Sequence, residues 1–188
     1  MAPEYIVDLY LESERMYPYF ISQVIERVLE MVVSDDVRCH TAIHILKGAV
    51  VYILGKGAKW SASAYSQGTH GGLTVQFDRK PTDEEMKRIE EAANQKIKEN
   101  VATEIHALTR SDAEARWGDD IYDLFPLSPE LKVVKIFHLP NWNVNTCGKQ
   151  HCEMTGDIGE IKIEKWRYRG NKRLLEMSFD VTGINGSD

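Results

Sequence analysis

The chain has no uninterrupted apolar run long enough to span a bilayer, so no membrane role is expected. Its first residues, Met1-Ala2-Pro3-Glu4-Tyr5, are acidic and mixed. A basic stretch followed by an apolar one is missing there, and no secretory signal is expected. Cysteine is scarce: Cys39, Cys147 and Cys152 are an odd number, and two of them adjoin histidines. That argues for metal ligation in a reducing compartment, here the cytoplasm, rather than for disulfides. There is no Walker A loop, no G-x-S-x-G elbow, no H-E-x-x-H and no dinucleotide fingerprint. Internal repeats and low-complexity linkers are absent as well. With 188 residues, the chain can still bury a core without covalent staples.

Positive charge is also in short supply, the formal net charge being -6. The deficit is uneven. Before the first histidine, Glu4, Asp8, Glu12, Glu14, Glu26, Glu30, Asp35 and Asp36 face only Arg15, Arg27 and Arg38. Near the C-terminus, Lys162, Lys165, Arg167, Arg169, Lys172 and Arg173 outnumber Glu160, Glu164 and Glu176. A local basic strip can bind a polyanion within an acidic protein, although a solvated hairpin is the plainer reading.

Periodicity predicts a short strand over 4–12, then an amphipathic helix carrying Phe20, Ile21, Val24, Ile25, Val28, Leu29 and Val32. Such a stripe suits core docking or a homodimer contact. Asp35 or Asp36 can cap the next helix, which ends at Gly55 with its apolar residues on one face and His40 and His44 toward the edge. Lys59–Tyr65 and Gly72–Phe77 read as strands joined by a glycine-containing loop. Thr82 and Glu85 form a capping-box pattern opening a helix whose buried side carries Met86, Ile89, Ala93, Ile97 and Val101. Thr103–Leu108 reads as a strand, with His106 a sheet residue that spacing pairs with no other histidine. A short helix from Ser111 ends near Gly118. A β-rich run over Leu131–Leu139 leads through an asparagine-rich loop to Cys147. Ile158–Tyr168 and Leu174–Val181 form a hairpin through Gly170-Asn171. The fold class is α+β, an antiparallel-rich sheet with packed helices. The division is residues 1–34, an extension, and 35–188, the functional domain.

His40 and His44 lie four apart and share a helical face. Cys147 and His151 repeat that spacing far downstream. Two imidazoles, a thiolate and a third imidazole suit Zn2+ over oxygen-loving magnesium or calcium. The ligand count by itself favours a closed structural site. Ligands drawn from distant elements, with His151 after a flexible Gly148-Lys149-Gln150 turn, also allow a catalytic site holding water. Cys39 and Cys152 are expected to point elsewhere.

The surrounding residues carry a resemblance. His40-Thr41-Ala42-Ile43-His44-Ile45-Leu46-Lys47-Gly48-Ala49, Phe77-Asp78, Trp142-Asn143-Val144-Asn145-Thr146-Cys147 and Thr155-Gly156-Asp157-Ile158-Gly159 resemble the editing domain of alanyl-tRNA synthetases and the free-standing AlaX-type trans-editing proteins. The likeness covers about 35–181 and is nearest the short form. It implies the threonyl/alanyl-tRNA synthetase editing-domain fold and Zn2+ held by His40, His44, Cys147 and His151. It further implies hydrolysis of mischarged tRNA(Ala), mainly seryl- and also glycyl-tRNA(Ala), by a zinc-bound water. Trp60-Ser61 stands where short relatives have tryptophan-threonine, so Ser61 would line a slightly roomier amino-acid pocket. Lys162, Lys165, Arg167, Arg169, Lys172 and Arg173, with Trp166 and Tyr168, are the candidate tRNA surface. The alternatives are a non-catalytic zinc-stabilised tRNA-binding module and a zinc hydrolase of small amides or esters.

Overall fold

The computed structural model describes residues 33–183. The strand expected over 4–12, the amphipathic helix after Pro18, the dimer contact assigned to it and the tail after Gly183 lie outside the described residues.

Helix α1 (Asp35–Leu54) is the central element. Ser34, rather than either aspartate, is its N-cap, and the Ser34 hydroxyl accepts the Val37 amide. Asp35 and Asp36 instead occupy the first turn, where negative charge complements the helix dipole. Gly55, at a φ of 87°, stops the helix as expected. Every residue from Thr41 to Val50 is buried. The helix is therefore enclosed on all sides, and the one-faced packing predicted for it is wrong. By length and composition it is long and apolar enough to cross a membrane, with a mean hydropathy of 1.3. Yet 72% of that apolar window is buried within the protein. The run is not visible as one because Arg38, His40, His44 and Lys47 interrupt it.

Two antiparallel sheets flank this helix, where a single sheet was expected. The first comprises β1 (Ser61–Gln67), β2 (His70–Gln76), β6 (Glu160–Arg169) and β7 (Leu174–Thr182), in the order β1-β2-β7-β6. Strand β7 alternates cleanly: Leu175, Met177, Phe179 and Val181 are buried, while the residues between them are not. A Cβ added to Gly71 would strike the Phe179 ring and come within 2.9 Å of Cys39 Sγ. The sheet thus lies directly against α1. The loop expected between β1 and β2 is a tight turn, with Gln67 paired to His70 and Gly68 left-handed at 55°.

Helix α2 (Asp83–Lys98) opens on the complete Thr82–Glu85 capping box and buries Met86, Ile89, Ala93 and Ile97. It also covers the edge of β6. Asn94 exchanges two 2.8 Å hydrogen bonds with the Ile161 backbone, and Glu90 accepts the Ile163 amide at 2.6 Å. Edge groups that would otherwise stay unpaired are satisfied by side chains.

The second sheet comprises β3 (Glu104–Thr109), β4 (Val133–Leu139) and β5 (Asn143–Thr146), in that order. Helix α3 (Arg110–Trp117), capped by Thr109 rather than Ser111, covers a small core of Ala113, Ile121, Val134 and Ile136. The expected asparagine-rich loop is in fact strand β5, entered by a turn in which Asn141 has a φ of 57°. Its asparagines were expected to bond their own backbone. Asn145 does so, donating to the Thr146 carbonyl at 3.4 Å, but Asn143 and Asn145 also reach side chains on α1.

Trp142 locks this second sheet onto α1. Its indole donates to the Ile45 carbonyl at 3.0 Å and lies against Gly48, where an added Cβ would collide with the ring. Gly48→Ala should therefore act as overpacking and cost about 1–3 kcal/mol in urea-unfolding free energy.

Candidate metal centre

His40 and His44 rise from α1, while the end of β5 delivers Cys147 and the following loop delivers His151. Both ends of that loop are pinned. The Cys147 amide donates to the Lys135 carbonyl at 2.8 Å, and the Cys152 amide donates to the Thr41 hydroxyl at 3.0 Å. That hydroxyl in turn donates to the Val37 carbonyl at 2.7 Å. The four side chains meet, each offering one ligand atom, and these atoms lie within 4.8 Å of one another. His40 Nε2 is 3.1 Å from Cys147 Sγ. The His151 ring lies 5.0 Å from those of both His40 and His44. Phe137 floors the cluster, stacked at 4.3 Å on His44 and 4.6 Å from His151.

The polar bookkeeping of the cluster is incomplete in an informative way. His40 Nδ1, His44 Nε2 and both nitrogens of His151 are buried without hydrogen-bond partners. Buried polar atoms are nearly always paired, so unpaired ones call for an explanation. Asn143 Oδ1 faces His44 Nδ1 at 3.3 Å. A carbonyl oxygen accepts only, so this contact places the proton on Nδ1 and leaves Nε2 as a bare lone pair. Such an outer hydrogen bond is what commonly orients a metal-bound histidine.

Burial also sets the protonation. It pulls His40 down to about 4, helped by the Lys149 charge, and pulls His151 down to about 4, helped by His40. His44 is driven well below its ordinary value by complete burial. All three rings are neutral near pH 7, as ligands must be. Burial raises the Cys147 thiol, so it carries its proton. Three neutral imidazoles and one thiol fit a borderline divalent cation such as zinc.

Cys39 and Cys152 are buried and outside this cluster. Cys39 Sγ faces the sheet near Gly71, and burial raises its thiol to about 11. Ser61 begins β1, is only 7% exposed, and accepts the Leu124 amide through its carbonyl. It hydrogen-bonds none of the four donors. The basic strip is real but largely neutralised. Arg167 and Arg169 both pair with Glu176, Arg173 with Asp78 at 3.3 Å, and Lys162 approaches Glu90 at 3.8 Å. Lys165 and Lys172 have no acidic partner among the described residues.

Several contributors were missed from sequence. Lys47, buried one turn after His44, donates to Asp123 at 2.8 Å and to Asn145, which also donates to Asp123. Asn143 and Trp142 line a cavity of about 570 Å³ together with Lys47, Lys56, Trp117 and His138. A second cavity, of about 550 Å³, lies on the outer face of the first sheet near Tyr65 and Arg167. The first is the more relevant because Asn143 joins it to His44. Spacing made only the i, i+4 pairs readable, since the contacts from His44 and Lys47 to Asn143, Asp123 and Asn145 join residues 76 to 99 positions apart.

No family model matches the chain. It is, however, similar to alanine–tRNA ligases over most of its length. It is 35% identical over 159 residues to that of Methanopyrus kandleri, a match covering 78% of this chain and 17% of that protein. With that of Pyrococcus furiosus it shares 33% over 129 residues, covering 69% and 14%. With that of Staphylothermus marinus it shares 36% over 129 residues, covering 68% and 14%. The chain is thus a homologue of one part of alanine–tRNA ligases, and the matches span 14–17% of the length of these curated relatives.

The protonation pattern has a calorimetric signature. Zinc added at pH 7 to metal-free protein should release about one proton, from Cys147, and none from the histidines. Titration in buffers of different ionisation enthalpy measures that number, and Cys147→Ser should abolish the release.

Proposed function

We propose that the chain is a zinc-dependent aminoacyl-tRNA deacylase, acting in trans in the cytoplasm on mischarged tRNA(Ala), mainly seryl- and also glycyl-tRNA(Ala). The observation that carries the reading is the four-donor cluster with unpaired, buried ring nitrogens, found in a homologue of one part of alanine–tRNA ligases.

An aminoacyl ester is already activated, so its hydrolysis needs positioning and charge stabilisation more than a nucleophilic triad. Zinc held by these four residues would supply Lewis acidity for a carbonyl and would lower the pKa of a water toward about 7. The chain's own groups do the rest. His40, His44, Cys147 and His151 would hold the ion, with Asn143 fixing the His44 tautomer. Phe137 excludes water behind the cluster. Asn143, at the wall of the adjoining cavity, can present its amide N–H groups to an ester or ribose oxygen. Trp117 and Trp142 give that cavity aromatic surface for a terminal base. The Ser61 hydroxyl would meet the serine side chain. Residues 35–188 would form the catalytic domain. Of the basic strip, Lys165 and Lys172 would meet phosphate most readily, since Lys162, Arg167, Arg169 and Arg173 already face carboxylates.

A second reading is favoured by the ligand count. Four protein donors suit a closed, structural zinc, giving a non-catalytic tRNA-binding module.

One experiment separates them. Seryl-, glycyl- and alanyl-tRNA(Ala) are incubated with wild-type protein, His44→Ala and Cys147→Ala, beside melting scans with and without chelator. Deacylation of the seryl species that falls to the uncatalysed rate in both variants, with folding intact, supports the enzyme. Tight tRNA binding with serine released no faster than without protein establishes the module instead. In addition, Asn143→Ala should weaken zinc about 10- to 100-fold through the freed His44 ring.

A further inference from the structure

Spacing pairs His106 with no other histidine, yet the fold does. Strands β3 and β4 place Glu104 opposite His138, and His106 lies on the same face as Glu104, two residues along. Glu104 Oε2 accepts from His138 Nδ1 at 2.8 Å and from His106 Nε2 at 2.9 Å. The three donor atoms lie within 4.8 Å of one another. The Trp117 ring covers both imidazoles, 5.4 Å from His106 and 5.3 Å from His138. The cluster is sheltered but reachable: the side chains of His138, His106 and Glu104 are 17%, 25% and 41% exposed.

We propose that Glu104, His106 and His138 form a second divalent-cation site, separate from the four-donor centre. Successive strand residues point to opposite faces. Phe137 stacks on His44 and lies beside His151, so His138 faces the other side of the sheet, toward α3. Two imidazoles and one carboxylate suit zinc, iron, cobalt or nickel. Three protein donors leave further coordination positions open, and His138 also lines the cavity beside Asn143. The His106 proton moves from Nε2 to Nδ1, the His138 proton moves from Nδ1 to Nε2, and the freed lone pairs take the cation. The bond to each ring replaces a hydrogen bond to Glu104, whose carboxylate supplies the third ligand. The cation would join β3 to β4 at the end of the small core.

The test titrates metal-stripped, full-length protein with Co2+ and then Zn2+, following heat and visible absorption. Wild-type protein should take two equivalents, only one of them giving a thiolate-to-cobalt charge-transfer band. The His106→Gln/His138→Gln double variant should take one and keep that band. Glu104→Gln retains a hydrogen-bond acceptor and so guards against misfolding; it should weaken the bandless site at least about tenfold. Saturation of wild-type protein at one equivalent with the band overturns the proposal, as does a double variant that still takes two. A wild-type protein that takes one bandless equivalent, lost in the double variant, upholds this site and refutes the thiolate centre instead.

Discussion

The structure depends on burying an apolar helix that carries polar side chains inward with it. Helix α1 is enclosed from Thr41 to Val50, yet it carries Arg38, Thr41, His44 and Lys47 into the interior. An unpaired polar group there costs about 1–3 kcal/mol, more if charged. Each group therefore recruits a partner, and the partners come from every surrounding element. Arg38 donates to the carbonyls of Ile158 and Thr182 and pairs with Asp35. Thr41 accepts the Cys152 amide, Lys47 takes Asp123 and Asn145, and His44 faces Asn143. These bonds draw the end of β7, the loop after Cys147 and the β4–β5 hairpin onto one axis. The second sheet is held to α1 through them, with Trp142 on Gly48 as the apolar clamp.

Against that pattern the histidine nitrogens stand out. The fold satisfies the guanidinium, the ammonium and the hydroxyl on α1, yet leaves three rings around one point with bare, buried nitrogens. The same burial that drives the rings neutral makes them ligands rather than charges. Phe137 beneath them supplies no polar partner, and the Asn143 contact directs one lone pair inward. A divalent cation at that point would satisfy the set.

What was legible in the sequence was local. His40 and His44 share a face by helical arithmetic, and Cys147 and His151 repeat the spacing. The Thr82–Glu85 box and the β6–β7 hairpin are equally short-range. Two kinds of error have physical causes. Helix α1 looked one-faced because periodicity records where apolar residues recur, not whether polar ones find buried partners. The Asn143–Thr146 segment looked like a loop because asparagine favours turns in isolation, whereas here its amides serve α1 and the backbone joins a ladder. The pairing of His106 with His138 was invisible for a third reason: strand register is set by the partner strand, which lies beyond α3 and places His138 34 residues from Glu104.

The basic strip shows how composition and structure part company. A β-bulge between Ile163 and Lys165, with alternation on either side of it, puts Lys162, Lys165, Arg167 and Arg169 on the outer face of the first sheet, where a polyanion could meet a row of positive charge. The same register puts Glu176 opposite Arg167, and Arg169 also reaches it. Cross-strand pairs at the surface are weak, about 0–1 kcal/mol, so a phosphate could compete for either arginine. It would gain less than from an unpaired cation, because the carboxylate stays nearby and repels it. The positive charge left unpaired on the strip is therefore concentrated at Lys165 and Lys172. The cavity that adjoins Asn143 offers aromatic surface instead, next to the four-donor centre. On the proposed reading, charge on the first sheet would hold the body of the RNA loosely, and stacking beside Asn143 would place its reactive end.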